Sequence, residues 1–300
     1  MDQTNGSPDP DYKKNNYLYN NKEIQSDNMT GEAVNWYDYG ARFYDPQLGR
    51  FTTQDAYAEK YLDFSPYQYA ANNPIKFIDV NGDSIWVNSG GQSYYYGYTD
   101  KTGYGMYDKS GQLYLGNDKT LNAVNGALAR MSLGKEGKAL VDDLMNSGNN
   151  TEIAARNGAA NSADSKNGSY IIWDPNNTNG APDQKGNTTR DSYIGLGHEM
   201  AHVQDVWNGT INNGTWQSVT DAKGNPVNIP YAEIYSTHKE NLIRAENGVP
   251  LRVSYGKDSY GNPDPSTRII RAGTSVSIYY QQNGTTNYSP LKKGLIPYKY

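Results

Sequence analysis

Two of the chain's three histidines stand four residues apart, at positions 198 and 202 of the pentapeptide HEMAH. This spacing constrains the local fold more than any other feature, because positions i and i+4 share a face only on an α-helix, about one turn apart. Both imidazoles then project toward a common point, with Glu199 at the rim of that face. The flanks agree with a helix. Asp191 or Ser192 can cap its start, Ile194, Leu196, Met200, Ala201, Val203 and Val206 supply apolar positions, and Gly209 offers a stop.

The chemistry of that pattern is metal-dependent hydrolysis: His198 and His202 are candidate zinc ligands, and Glu199 is the candidate general base toward a water. The plain alternative is a pair of surface histidines on an amphipathic helix, with Glu199 in an ion pair. Asp205 could hold the outer nitrogen of a ligating imidazole, although a solvated turn of helix is the plainer reading. The chain has no cysteine, so disulfides, thiol catalysis and thiolate-bound zinc are excluded, and any metal must be held by histidine and carboxylate.

A tetrahedral zinc with an open position needs a third protein ligand. The segment YAEIYSTHKENLIRAENG offers Glu233, His238, Glu240 and Glu246, and Glu233 and Glu240 would face the same side of one continuous helix. The residues alone leave that choice open. Glu240 has two further readings: it could accept the outer N–H of a ligating imidazole, or pair with Arg244 at i+4.

Elsewhere the residues point to strands and turns. The 28 tyrosines against four phenylalanines, among 31 glycines, suggest β structure with half-buried rings whose hydroxyls stay wet. IWVNSGGQSYYYGYTDKTGYGMYDKSGQLYLGND reads as hairpins, DKTLNAVNGALARMSLGKEGKALVDDLMNS as one bent or two short helices broken near Gly134, and TEIAARNG and SYIIWDP as short strands. PLRVSYG also reads as a short strand with Val253 inward. The expected fold class is α+β: a zincin-like domain, with an active-site helix and a small sheet, preceded by a β-rich segment.

The net charge of −5, without a Lys/Arg cluster, argues against nucleic acid as the partner. The first residues lack the apolar core of a signal peptide, and no run is long enough to span a bilayer.

Residues 36–83, WYDYGARFYDPQLGRFTTQDAYAEKYLDFSPYQYAANNPIKFIDVNGD, resemble the RHS/YD-repeat-associated core signature. That resemblance implies three parts: residues 1–35 as a polar remnant of YD repeats, 36–83 as the core segment, and 84–300 as an effector domain. It also implies Asp55 and Asp79 as the pair that in some members helps to cut the effector free. Here Ala56 and Val80 replace the usual prolines, and the two aspartates are read as turn residues.

HEMAH followed by AEIYSTHKENLIRAENGVPLRVSY resembles the zinc metallopeptidase effectors that enteric pathogens inject into host cells, and is distantly similar to the clostridial neurotoxin light chains. The resemblance implies Glu233 as the third zinc ligand and Arg252 and Tyr255 as residues that line the pocket and stabilise the oxyanion. It further implies a zinc endopeptidase of an RHS-type polymorphic toxin, secreted or delivered from the cell surface. Its partners would be a protein substrate in a target cell and a cognate immunity protein. The competing readings are a non-enzymatic adhesion or encapsulation module with an inactive zincin domain, and a metal-dependent amidase acting on a non-protein substrate.

Overall fold

The computed structural model describes residues 23–25, 28–29, 32–33, 35–39, 42–54, 65–67, 85–99, 101–147, 149–220, 226–258, 260–284 and 288–300. Asp55 and Asp79 lie outside these residues. The chain divides into two compact units, residues 1–82 and 83–300.

In the first unit, β1 (Glu23–Gln25), β4 (Trp36–Asp38), β5 (Phe43–Asp45) and β6 (Arg50–Phe51) form an antiparallel sheet in that order, and β2 (Asn28–Met29) pairs with β3 (Glu32–Ala33). Alternation on these short strands turns Tyr37, Tyr44 and Phe51 to one side, where Tyr39 joins them. Phe51 meets Tyr39 and Tyr44 edge-on at 5.7 and 6.2 Å, and the Arg42 guanidinium covers its face.

The second unit opens with β7 (Ile85–Ser89), β8 (Gln92–Thr99) and β9 (Gly103–Asp108), an antiparallel meander. Two helices follow. In α1 (Lys119–Met131), Leu121, Val124, Leu128 and Met131 recur at helical spacing and are buried, and Asp118 caps the first turn through Leu121 N. The chain turns at Ser132–Gly134 into α2 (Lys135–Met145), which buries Leu140, Val141 and Leu144. This pair carries the chain back so that β10 (Thr151–Ala155) lies parallel to β7, and β12 (Tyr170–Trp173) then adds parallel to β10. With β11 (Ser162–Ala163) at the far edge, the sheet runs β11-β12-β10-β7-β8-β9.

Alternate residues of the sheet, among them Ile85, Val87, Tyr96, Met106, Ile153, Ile171 and Trp173, pack against the apolar stripes of α1 and α2. Each aliphatic side chain buried there contributes roughly 1.5–3 kcal/mol. Tyr96 and Tyr107 depart from the half-buried expectation and are enclosed; the Tyr107 hydroxyl is satisfied internally by Gly103 O and Thr102 Oγ1.

The helix bearing HEMAH is α3 (Ser192–Trp207), and it is buried on nearly every side. It packs on α1 and α2 through Ile194, Leu196, Met200 and Val203, on β11 and β12, and on α4 (Ala232–Glu246). Gly197 permits the last contact, since a Cβ there would lie 2.8 Å from Ile243 Cδ1 of α4. A hairpin of β13 (Thr215–Thr220) and β14 (Pro226–Pro230) joins the two helices. Beyond α4 the chain forms isolated bridges at Arg252 and Ser254 rather than the expected strand, although Val253 is buried. It ends in β15 (Val276–Gln281) paired with β16 (Pro297–Lys299).

A second apolar cluster, which includes Trp216, Ile229, Ile234, Leu251, Ile269 and Tyr279, lies along α4. Ile243 belongs to the first cluster and Ile234 to the second, so α4 joins the two cores and is held from both sides against α3. Among the described residues no helix is long and apolar enough to cross a membrane.

Candidate metal centre

The facing sides of α3 and α4 bring His198, His202 and Glu233 together. One ligand atom from each lies within 4.8 Å of the others. Glu233 Oε2 stands 3.0 Å from His198 Nε2 and 3.3 Å from His202 Nε2. Donors around a tetrahedral zinc bound at about 2.0–2.1 Å are separated by about 3.3 Å, which the two Glu233 distances match. Two imidazoles and one carboxylate are also a donor set that zinc favours.

The electrostatics fit a cation in this place. Burial opposes charge on His198, yet Glu233 on one ring nitrogen and Glu240 on the other outweigh it and raise the imidazole to about 9. Burial likewise raises the Glu233 carboxyl, but His202 and His198 overcome this and hold it well below the usual range. The two carboxylates therefore favour positive charge at His198.

Glu240 lies on the other side of His198. Its Oε2 accepts from Nδ1 at 3.0 Å, from Arg252 Nη1 at 2.7 Å and from Arg190 Nη1 at 3.3 Å, while Oε1 accepts from Arg244 Nε at 2.9 Å. Both readings of Glu240 are thus realised at once: it holds the outer nitrogen of an imidazole and pairs with Arg244. Burial disfavours its charge, but Arg252, Arg190 and Arg244 keep the carboxyl well below the usual range. The other two alternatives are elsewhere. Glu246 accepts the amides of Glu136 and Gly137 at the start of α2. His238 stacks on Tyr280 at 3.6 Å and bonds Tyr300 Oη through Nδ1.

Glu199 is buried beside the pair, where burial pushes its carboxyl up against the pull of His198 and His202. Tyr255 reaches the same place. Burial raises its hydroxyl, and the nearby charges of Glu233 and Glu199 add to the effect, so it is a neutral donor. Arg252 is placed differently from a pocket-lining residue. It approaches His198 from the Nδ1 side at 3.5 Å, and it donates Nη1 to Glu240, Nε to Ser254 O and Nη2 to Tyr255 O. Its carbon Cζ lies 4.9 Å from the centre of the Tyr255 ring.

Two neighbours escape sequence reading. Ser236 places Oγ 3.1 Å from His198 Nε2 and 3.3 Å from Glu233 Oε2; its one signal is the i+3 spacing from Glu233. Arg190 precedes α3 in a loop, where no periodicity marks it. Asp205 corrects the expectation of a solvated residue, being wholly enclosed.

An α+β domain with a largely enclosed His/His/Glu cluster on two facing helices has the arrangement of a metallopeptidase-like active site. Residues 109–255 match the Peptidase_M91 family model, described as "Effector protein". The matched stretch contains every residue of the cluster and ends at Tyr255. The chain is also 47% identical over 51 residues to salivary gland surface protein 1 of Aedes aegypti, across 17% of its own length and 1% of that protein. It is 29% identical over 104 residues to protein NAM8 of Saccharomyces cerevisiae, across 31% of its own length and 19% of that protein. The chain thus spans a small part of either relative. No solved structure matches it.

Proposed function

We propose that residues 84–300 are a zinc-dependent endopeptidase domain of an RHS-type polymorphic toxin, secreted or delivered to act on a protein inside a target cell. The observation that carries this reading is the convergence of His198, His202 and Glu233 beside a buried Glu199, within a stretch that matches an effector-protein family. His198, His202 and Glu233 would hold a zinc ion, which would supply Lewis acidity toward a substrate carbonyl and a water.

The chain's own groups do the rest. Glu199, kept from solvent and raised by burial, takes a proton from the attacking water and delivers it to the nitrogen of the leaving amine. Tyr255 donates its hydroxyl to the carbonyl oxygen as that atom gains negative charge. Arg252 acts as a positioning residue in this reading: its N–H groups are directed to Glu240 and to the backbone at Ser254 and Tyr255, so it holds the phenol over the site. Glu240 holds the His198 ring with Nε2 directed at Glu233. The segment before residue 84 is the repeat-associated core in this proposal, and a cognate immunity protein would cover the cleft.

The test is zinc content together with cleavage of a protein library by the full chain. One zinc per chain, lost in His202→Ala and Glu233→Ala, and cleavage abolished in a zinc-retaining Glu199→Ala protein are expected. Cleavage that survives Glu199→Ala would sink the mechanism. A folded parent that takes up no zinc would leave the non-enzymatic module standing.

A further inference from the structure

The mechanism above uses only one corner of Arg190. Its Nη1 donates to Glu240 at 3.3 Å, and its stem lies along Gly180, where a Cβ would be 3.4 Å from Arg190 Cγ. The other two nitrogens, Nε and Nη2, form the planar fork that can grip a carboxylate through two parallel hydrogen bonds. Nε is buried and has no acceptor among the described residues.

A second donor converges on the same place. Asn161, immediately before β11, accepts the amide of Asp174 through Oδ1 at 3.0 Å, and its Nδ2 is buried without an acceptor among the described residues. Gly195 of α3 admits both groups, since a Cβ there would meet Asn161 Nδ2 at 2.8 Å and Arg190 Nη2 at 3.0 Å. Gly195 precedes Glu199 by four residues, so this point and the candidate base share a face of α3, one turn apart. Arg190 is close enough to Glu199 for the two charges to act on each other. It also keeps 10% of its side-chain surface open to solvent, so the fork can be approached from outside.

The balance of charge calls for an anion. In the metallopeptidase reading a divalent ion matches Glu233 and Glu199, which leaves Arg190, Arg244 and Arg252 around Glu240 alone. Arg244 Nη2 is likewise buried without an acceptor among the described residues. Buried cations are costly unless paired. A water molecule could accept from these donors but would leave the excess positive charge in place. An anionic group answers both needs.

We propose that Arg190 and Asn161 form a subsite for an acidic side chain of the substrate, whose carboxylate accepts from Nε and Nη2 of Arg190 and from Nδ2 of Asn161, one helical turn from Glu199. This rests on the metallopeptidase reading and gives it a substrate class: chains with Asp or Glu close to the cleaved bond.

Paired peptides test the subsite. They share a sequence that the full chain cleaves and differ by Glu against Gln at one position, scanned across the residues flanking the cleaved bond. The parent is expected to favour Glu about 10–100-fold in kcat/KM at one position. Arg190→Gln should bring that ratio close to one, and Asn161→Ala should reduce it in part. Because the ratio is taken on a single protein, damage that reaches the metal through Glu240 affects both peptides and cancels. Parity in the parent at every position, or a preference that survives Arg190→Gln, overturns the subsite while cleavage itself upholds the metallopeptidase reading. A folded chain that takes up zinc and cleaves no peptide removes both.

Acetate titrated against the parent gives a readout without substitution, and decides the matter even where Arg190→Gln fails to fold. At constant ionic strength it is expected to raise KM for the Glu peptide and leave that for the Gln peptide unchanged, with acetamide inert. Acetate acting alike on both peptides overturns the subsite. Chloride that changes both alike, with no preference for Glu, would assign the donors to a free anion and overturn it as well.

Discussion

Glu240 and His198 meet at 3.0 Å across the Nδ1 side of the imidazole, and that same carboxylate oxygen carries Arg252 at 2.7 Å. The orientation of a candidate metal ligand is thereby tied to a buried cluster of three arginines around one carboxylate. Removing the carboxylate charge leaves Arg190, Arg244 and Arg252 uncompensated in the interior. Glu240→Gln is expected to cost about 3–5 kcal/mol of stability and to weaken zinc binding about tenfold or more. Urea denaturation of the zinc-free protein and a zinc competition titration check the two effects separately. A variant as stable as the parent would mean that the arginines find other partners.

Tyr255 is placed beside Glu233 and Glu199, with its ring against the Arg252 guanidinium. If its hydroxyl serves the developing oxyanion, Tyr255→Phe lowers kcat about 10²-fold with little change in KM. Zinc content should stay at the parental level. Loss of zinc instead would assign the phenol to the support of Glu233.

Glu246, at the end of α4, caps α2 from outside: its two carboxylate oxygens accept Glu136 N at 2.6 Å and Gly137 N at 2.8 Å. The N-cap residue itself, Gly134, supplies no side chain, and a Cβ there would run into the Glu246 carboxylate. Glu246→Ala should therefore destabilise the protein by about 1–2 kcal/mol through loss of the cap and of the charge near the helix dipole. Gly134→Ala should act in the same direction by displacing the same carboxylate. Combining the two substitutions should cost less than the sum of the single effects; full additivity in a double-mutant cycle would show that the two residues act independently.

His238 gives the fold a dependence on acid. Burial disfavours its cation and Lys239 adds positive charge, so the folded imidazole is lowered from 6.5 to about 3. Between these values the unfolded chain binds one proton more than the folded chain. The contribution is whole above about pH 6.5 and is lost at about 1.4 kcal/mol per pH unit as pH falls toward 3. From pH 7 to pH 5 the parent should lose about 2 kcal/mol more than His238→Phe, which keeps a ring against Tyr280 but cannot titrate. Denaturation curves at the two pH values measure the difference, and parallel losses would contradict the assignment.

Much of the local structure was legible in the residues. The stripe Leu121, Val124, Leu128 and Met131 lies on α1, the break at Gly134 divides two helices, and the runs around Ile153 and Ile171 are strands. Each of these depends on periodicity and on local conformational preference. The solvated reading of Asp205 failed for the opposite reason. Its burial comes from a turn that folds back onto α3 and from elements packed around that helix, and no property of the residue or its immediate neighbours records them. PLRVSYG failed similarly: its alternation suits a strand, but the neighbouring segments supply bridge partners only at Arg252 and Ser254.

The sequence by itself determined that His198 and His202 share a helix face with Glu199 at its rim, because four residues make about one turn of any right-handed helix. It also determined that Glu233 and Glu240 share a face of α4. Which of the two meets Nε2 and which meets Nδ1 was decided only by the packing of α4 against α3, with Gly197 admitting Ile243 and two apolar cores holding α4 from either side. The tertiary structure likewise turned Arg252 toward Glu240 and brought Arg190 in from a loop. The physical reason is one of range: helical periodicity reaches a few residues, whereas charges and hydrogen-bond partners separated by 35 to 54 residues meet only after the helices have docked.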